Sequence, residues 1–222
     1  MDNRIPLFIF IALISFCSFS QERQVEDNFA KASQLNESAA KGNLGSVIRI
    51  KQMADAGDAS AMFFYSQMLM NGQNGIAKDI GAGFQMLDGS AAKGCAAAQL
   101  LYGSLLAGDL SLQDQEKKKL VSYLQSASRS EPAIAAAILS AYYQAEGYRC
   151  KVDEYAWCIV SIEMGNKFAT QAAADDILNQ LPEKWKTAAK DRSKTVLADI
   201  AKTGKHKARS SRSLAPASLP QH

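Results

Sequence analysis

The chain has 222 residues, 47% hydrophobic and 21% charged, which is long enough to bury a core and too apolar for bulk disorder. The net charge of +3 comes from the end of the chain: Lys205, Lys207, Arg209 and Arg212 stand in 205–222 with no acid, and 21 bases meet 22 acids before them. A near-neutral body offers no charge case for nucleic acid, and both histidines, His206 and His222, lie in that basic tail, so histidine triads and histidine metal sites are excluded from the body.

In chain order, the first element predicted is an export signal. Met1–Arg4 carries one base, and the fifteen residues from Ile5 to Phe19 (IPLFIFIALISFCSF) are almost wholly apolar. That is short of the roughly 20 residues a membrane span needs, and it suits a signal-peptide core. Ser18 and Ser20 supply small residues at the −3 and −1 positions before Gln21, so residues 1–20 are expected to be removed, leaving a periplasmic or secreted chain. The alternatives are an uncleaved anchor, or lipid attachment at Cys17, where Phe16 occupies a place that wants a small residue. Without Cys17, three cysteines remain. Cys150 and Cys158 on one helix would be about 12 Å apart, too far to bridge unless a turn at Cys150 shortens the gap, and otherwise all three are small buried thiols. No CxxC occurs, so no structural zinc site is expected.

From residue 22 onward the expectation is helix throughout. Residues 22–41 and 43–56 form a leading pair, with Asn43 as a helix cap. Three alanine- and aromatic-rich helices follow at Ala59–Asn71, Ala96–Ala107 and Pro132–Glu146, each stopped by a glycine (Gly72, Gly108, Gly147). Each precedes a second helix: Lys78–Gly94, Gln115–Ser130 and Cys150–Gly165. Aligned on their last residue, these three carry Ser90, Ser126 and Ser161 four places earlier, and a further copy ends at Gly57; the spacings are 37, 36 and 35 residues. Lys167–Leu181 and Pro182–Lys202 make a closing pair, the second with Trp185, Ala188, Ala189 and Val196 as its apolar stripe. From Gly204 on, Ser, Pro and bases predict a disordered basic tail.

These residues resemble the Sel-one-like repeat family, relatives of the tetratricopeptide repeat. The family pattern runs Ala-x-x-x-Leu-Gly-x-x-Tyr-x-x-Gly, a loop with Lys-Asp, then a helix ending Ala-Ala-x-x-Gly. The first unit matches through Ala61, Tyr65, Ser66, Leu69, Gly72, Lys78, Asp79, Ser90, Ala91 and Gly94. The second matches through Ala98, Tyr102, Gly103, Gly108, Ser126 and Ala127, and the third through Ala135, Leu139, Ser140, Tyr143, Gly147, Tyr155, Trp157, Ser161 and Gly165. Cys150 and Gln115 stand where the loop Asp belongs, and Ser130 replaces the closing glycine. The resemblance covers about residues 43–165 and implies an all-α fold: a right-handed α-solenoid of antiparallel helix pairs, with three repeats over 57–165 between a leading pair (21–56) and a closing pair (166–203).

Motifs of chemistry fail on inspection. Gly89–Gly94 has the frame of a phosphate loop, but Cys95 and Ala96 follow it instead of Lys and Ser/Thr. Ser90-Ala91-Ala92-Lys93 and Lys202-Thr203-Gly204 match two boxes of serine β-lactamases, and a cysteine-rich branch of the family is associated with β-lactams. The third box is missing and the KTG ends a helix, so Ser90 reads as a small packing residue; Ser38–Lys41 repeats the match by chance. Asp175 and Asp176 point apart on a helix, and Asp153 with Glu154 suits a helix first turn.

Recognition by surface remains. By analogy with tetratricopeptide arrays, the first helix of each pair lines a concave face, which places Phe63, Gln67 and Met70, then Leu100 and Ser104, then Ala137, Ala141 and Gln144 against another polypeptide. The expected function is an exported, non-enzymatic protein-binding module without cofactor or metal. Its partner would be an envelope protein or a toxic effector, with no nucleic acid and no stable membrane insertion after cleavage. Family resemblance admits an envelope scaffold, an immunity protein against a lipase-type effector or a host-interaction factor; the rival is a β-lactam- or ester-hydrolysing enzyme.

Overall fold

A computed structural model of the chain describes residues 27–109, 111–146 and 151–212, with side chains as far as Lys202. The signal segment, its cleavage point and Cys17 lie outside these residues, as do Cys150 and residues 213–222. The described residues are helical, with no strand among them. The helices are α1 (27–40), α2 (Leu44–Asp55), α3 (Ala59–Asn71), α4 (Ile80–Ala92), α5 (Ala96–Leu106), α6 (Asp114–Ala127), α7 (Pro132–Glu146), α8 (Lys151–Glu163), α9 (Gln171–Asn179) and α10 (Glu183–Arg212). They gather into two compact units, Met1–Gln99 and Leu100–His222, with the division inside α5.

One closing turn recurs along the chain. Gly42, Gly57, Gly94 and Gly165 all take positive φ, between 81° and 91°, a conformation that glycine adopts without strain. At each, the glycine N–H donates to a carbonyl three residues back (Ala39, Ala54, Ala91, Ile162), and the next residue donates five back (Ser38, Met53, Ser90, Ser161). Where Ser130 replaces the glycine the turn changes: positive φ is not taken, and the Ala127 carbonyl accepts from both Ser130 and Glu131. The periodicity in sequence is thus a periodicity of hydrogen bonds. Capping residues follow the turns. Asn43 Oδ1 accepts from Ser46 N at 3.3 Å, Asp58 Oδ1 from Ala61 N at 2.8 Å and Asp79 Oδ1 from Ala82 N at 2.9 Å. Gln113, two residues before the position read as the loop Asp, caps α6 instead, its N–H reaching Glu116 Oε2 at 3.0 Å.

In the first unit α3 packs on both α2 and α4, around the fully buried side chains of Ile50, Met68 and Leu87. Phe29 of α1 lies 5.9 Å from the Phe63 ring and 5.2 Å from Phe64, and Asn28 donates to Asp58 Oδ2 at 2.5 Å, which ties α1 to the turn before α3. Glycine in α4 permits close approach to α3: a Cβ on Gly83 would stand 2.5 Å from Met70 Cγ, and one on Gly89 would stand 2.7 Å from Met62 Cε.

In the second unit α7 packs against α6 and α8, and α8 against α9 and α10. Leu120, Leu124, Leu139 and Val160 are fully buried, and Tyr155, Cys158, Ala174, Leu181 and Ala189 form a cluster joining α8 to the closing helices. Gly103 does here what Gly83 does in the first unit, admitting Leu124.

The closing pair departs from its predicted bounds. α9 begins at Gln171 rather than Lys167, because Asn166 folds back: its side chain donates to Ser161 Oγ at 2.8 Å and accepts from Phe168 N at 3.0 Å, and Thr170 then caps the helix. Pro182 stands just before the first helical residue of α10, and the helix runs past Gly204 to Arg212. Its buried stripe is Ala189, Ser193, Val196 and Ile200; Ala188 is exposed and Trp185 is 48% exposed, so both leave the predicted stripe.

Candidate binding surface

Ser90, the residue that invited a catalytic reading, is fully buried on α4, and its hydroxyl donates to the Ala59 carbonyl at 2.6 Å. That bond joins the start of α3 to the end of α4, residues 31 apart in sequence. Ser161, four places before Gly165 as Ser90 is before Gly94, is 1% exposed and accepts from Asn166. The Ser90 hydroxyl thus ties two helices together, the Ser161 hydroxyl holds the turn after its own helix, and both residues are buried. Changing Ser90 to Ala is expected to lower stability by about 1 kcal/mol, the usual net worth of a buried neutral hydrogen bond, read as the shift in urea midpoint. A hydrolase centred on Ser90 would instead show nitrocefin or ester turnover that this substitution abolishes.

The thiols are equally enclosed. Cys95 and Cys158 are buried and free. Burial raises the Cys95 thiol above its ordinary pKa. Cys158 is raised first by burial and then by the negative charge of Glu154 one turn before it. Thiols held protonated in this way are poor nucleophiles at neutral pH. Among the described residues no group of three or more His, Cys, Asp or Glu is placed to hold a metal.

The residues expected to line a groove divide by unit. In the first, Phe63 is 8% exposed because α1 covers it, and its ring packs on Phe29 and Phe64. It belongs to the core. Met70 is half-buried with its Cγ turned to α4 at Gly83, and Gln67 is half-buried on the same helix. In the second unit Leu100 is half-buried on α5, and Ser104, one turn on, is exposed with its hydroxyl turned back to the Leu101 carbonyl at 2.9 Å. On α7, Ala137 is half-buried while Ala141 and Gln144 are exposed.

The α7 residues share one side of their helix, and the structure adds a fourth. Ile134, 52% exposed, precedes Ala137 by one turn, so Ile134, Ala137, Ala141 and Gln144 follow one another at steps of three, four and three. Ile134 is not among the residues expected from the tetratricopeptide analogy; its step of three to Ala137 is the sequence signal that places it on the same side. Lys117 of α6 fixes the far end of α7 by reaching both carboxylate oxygens of Glu146, at 2.9 and 3.1 Å. The stripe therefore lies on a helix pinned by a buried face and an inter-helix ion pair, with Ala137 and Ala141 at its middle small enough to let another backbone come close. No family model, curated protein or solved structure matches this chain.

Proposed function

We propose that this protein is an exported, non-enzymatic binding module, a Sel-one-like α-solenoid that serves as a scaffold among periplasmic envelope proteins. The observation that carries the reading is the recurring turn at Gly42, Gly57, Gly94 and Gly165, with the same hydrogen bonds each time. Stacked helix pairs of the solenoid class create extended surfaces that such proteins use to bind other chains. The stripe Ile134–Ala137–Ala141–Gln144 supplies such a surface in the second unit, apolar enough to receive a helix or extended segment and polar at one end to set its register.

The test is site-specific. A photo-cross-linking amino acid at Ala141 is expected to give one discrete adduct with an envelope protein in living cells, and the same group at exposed Lys118 of α6 to give none. Matching patterns at the two positions would dismiss the surface. Export is tested apart from it: residues 1–26 fused to an alkaline phosphatase reporter should yield enzyme activity, and an inactive fusion would dismiss the periplasmic location.

A further inference from the structure

In the first unit the seam between α3 and α4 sets methionines against glycines. Met62, Ser66 and Met70 follow one another on α3 at steps of four and share one side of it. A Cβ on Gly83 of α4 would meet Met70 Cγ at 2.5 Å, and one on Gly89 would meet Met62 Cε at 2.7 Å, so each methionine fills a notch left by a glycine. Hydrogen bonds close both ends of the seam: Asp79 N donates to the Leu69 carbonyl at 2.8 Å, and Ser90 Oγ to the Ala59 carbonyl at 2.6 Å. Burial separates the thioethers. Met68, on the same helix, is 1% exposed and belongs to the core, whereas Met62 and Met70 are half-buried, within reach of a small solute. Met53, Met86 and Met164 are half-buried too, but none of them is the nearest neighbour of a described glycine.

We propose that this seam is a modification site for peroxide, a two-electron oxidant, and that oxidation of Met62 and Met70 to sulfoxides loosens α3 from α4. In the reaction a lone pair of the thioether sulfur attacks one peroxide oxygen, the S–O bond forms and the O–O bond breaks. The departing hydroxide takes the proton of the transferred hydroxyl and leaves as water; sulfur has lost two electrons and the peroxide has gained them. The product replaces an apolar group by a polar one that accepts hydrogen bonds. The notch at Gly83 has no use for such a group: the Ser66 carbonyl oxygen stands 2.9 Å from the same Cβ position and can only accept. A sulfoxide is better solvated in water, so the side chain swings out and the backbone of the glycine loses its cover. An interface packed this closely weakens when a notch is emptied, because the atoms lining it lose their contacts. The inference stands on the α3–α4 contact alone and is independent of the export and of the binding surface on α7.

The experiment treats the purified protein with hydrogen peroxide, maps sulfoxides by peptide mass spectrometry and follows amide hydrogen exchange. Met62 and Met70 are expected to oxidise at least about tenfold faster than Met68. Once both are sulfoxides, exchange in α3 and α4 should quicken at least about tenfold, while α7 and α8 exchange as before. Reductases acting on both sulfoxide epimers should restore the original rates. Met62→Leu with Met70→Leu conserves volume, so it should exchange like the parent and stay closed in peroxide, although Met53, Met86 and Met164 are still there to be oxidised. Met62→Gln with Met70→Gln puts a polar group at both notches and should open the seam without oxidant. Oxidation of Met68 as fast as of Met62 and Met70, unchanged exchange in α3 and α4 after both are oxidised, or equal opening of the double leucine variant by peroxide would each overturn the proposal.

Discussion

Lys151→Met is expected to destabilise the second unit by about 3 kcal/mol, which follows from where its partner lies. Glu154 is 1% exposed, and its Oε2 stands 2.8 Å from Lys151 Nζ. The lysine side chain is itself only 14% exposed. No well-aligned hydrogen-bond donor meets Oε2, so Coulomb attraction to Lys151 is its compensation among the described residues. Removing the cation leaves a carboxylate taken out of water with nothing in exchange. The Lys194–Asp191 pair has the same three-residue separation and a 3.2 Å contact, yet its side chains are 76% and 63% exposed. Lys194→Met should therefore cost less than about 0.5 kcal/mol. Replacing the buried pair outright, Lys151→Met with Glu154→Leu, should return stability to within about 1 kcal/mol of the parent, since two apolar groups of similar volume need no compensation. Urea unfolding followed through Trp157, which is 2% exposed on the same helix, measures all four proteins. Equal costs for Lys151→Met and Lys194→Met would show that burial does not govern the pair.

The elements that were legible are those fixed by neighbours in sequence. α3 spans Ala59–Asn71 and α7 spans Pro132–Glu146, as the alanine and aromatic pattern predicts, and Asn43 caps α2 as expected. A cap, a left-handed glycine and an apolar face are all settled within a turn or two of chain. What needed the fold is settled across tens of residues. Phe63 reads as a groove residue until Phe29, 34 positions earlier, is laid over it. Asp153 and Glu154 look alike as first-turn acids, but Arg192 of α10 takes Asp153 at 3.0 Å while Glu154 turns inward to Lys151. Trp185 was grouped with Ala189 and Val196 by spacing alone, and the actual stripe is set by which side of α10 meets α8. The candidate surface shows the same division. Ala137, Ala141 and Gln144 share a helix side by periodicity, whereas the exposure of Ile134 depends on what packs on α7 and what does not.

Two glycines on one helix should respond to the same change with opposite sign. Gly81 and Gly83 both lie in α4, where alanine is intrinsically favoured over glycine by up to about 1 kcal/mol. A Cβ on Gly81 would meet nothing nearer than Asp79 Oδ1 at 3.6 Å, an ordinary contact, so Gly81→Ala should stabilise by about 0.5 kcal/mol. A Cβ on Gly83 would lie 2.9 Å from the Ser66 carbonyl oxygen and 3.0 Å from Met70 N, both backbone atoms of α3, besides 2.5 Å from Met70 Cγ. The methionine can swing aside, but the two backbone atoms move only if α3 and α4 separate. Separation strains the Ser90–Ala59 hydrogen bond and opens the packing over Leu87, which is fully buried. Overpacking of this kind costs about 1 to 3 kcal/mol and offsets a propensity gain of up to about 1 kcal/mol, so Gly83→Ala should be net destabilising by about 1 kcal/mol. Circular dichroism melts of the two variants against the parent decide it. Stabilisation by both would mean that α4 does not approach α3 as closely as its glycines allow, and the small-residue positions of the repeat would then need another explanation than helix contact.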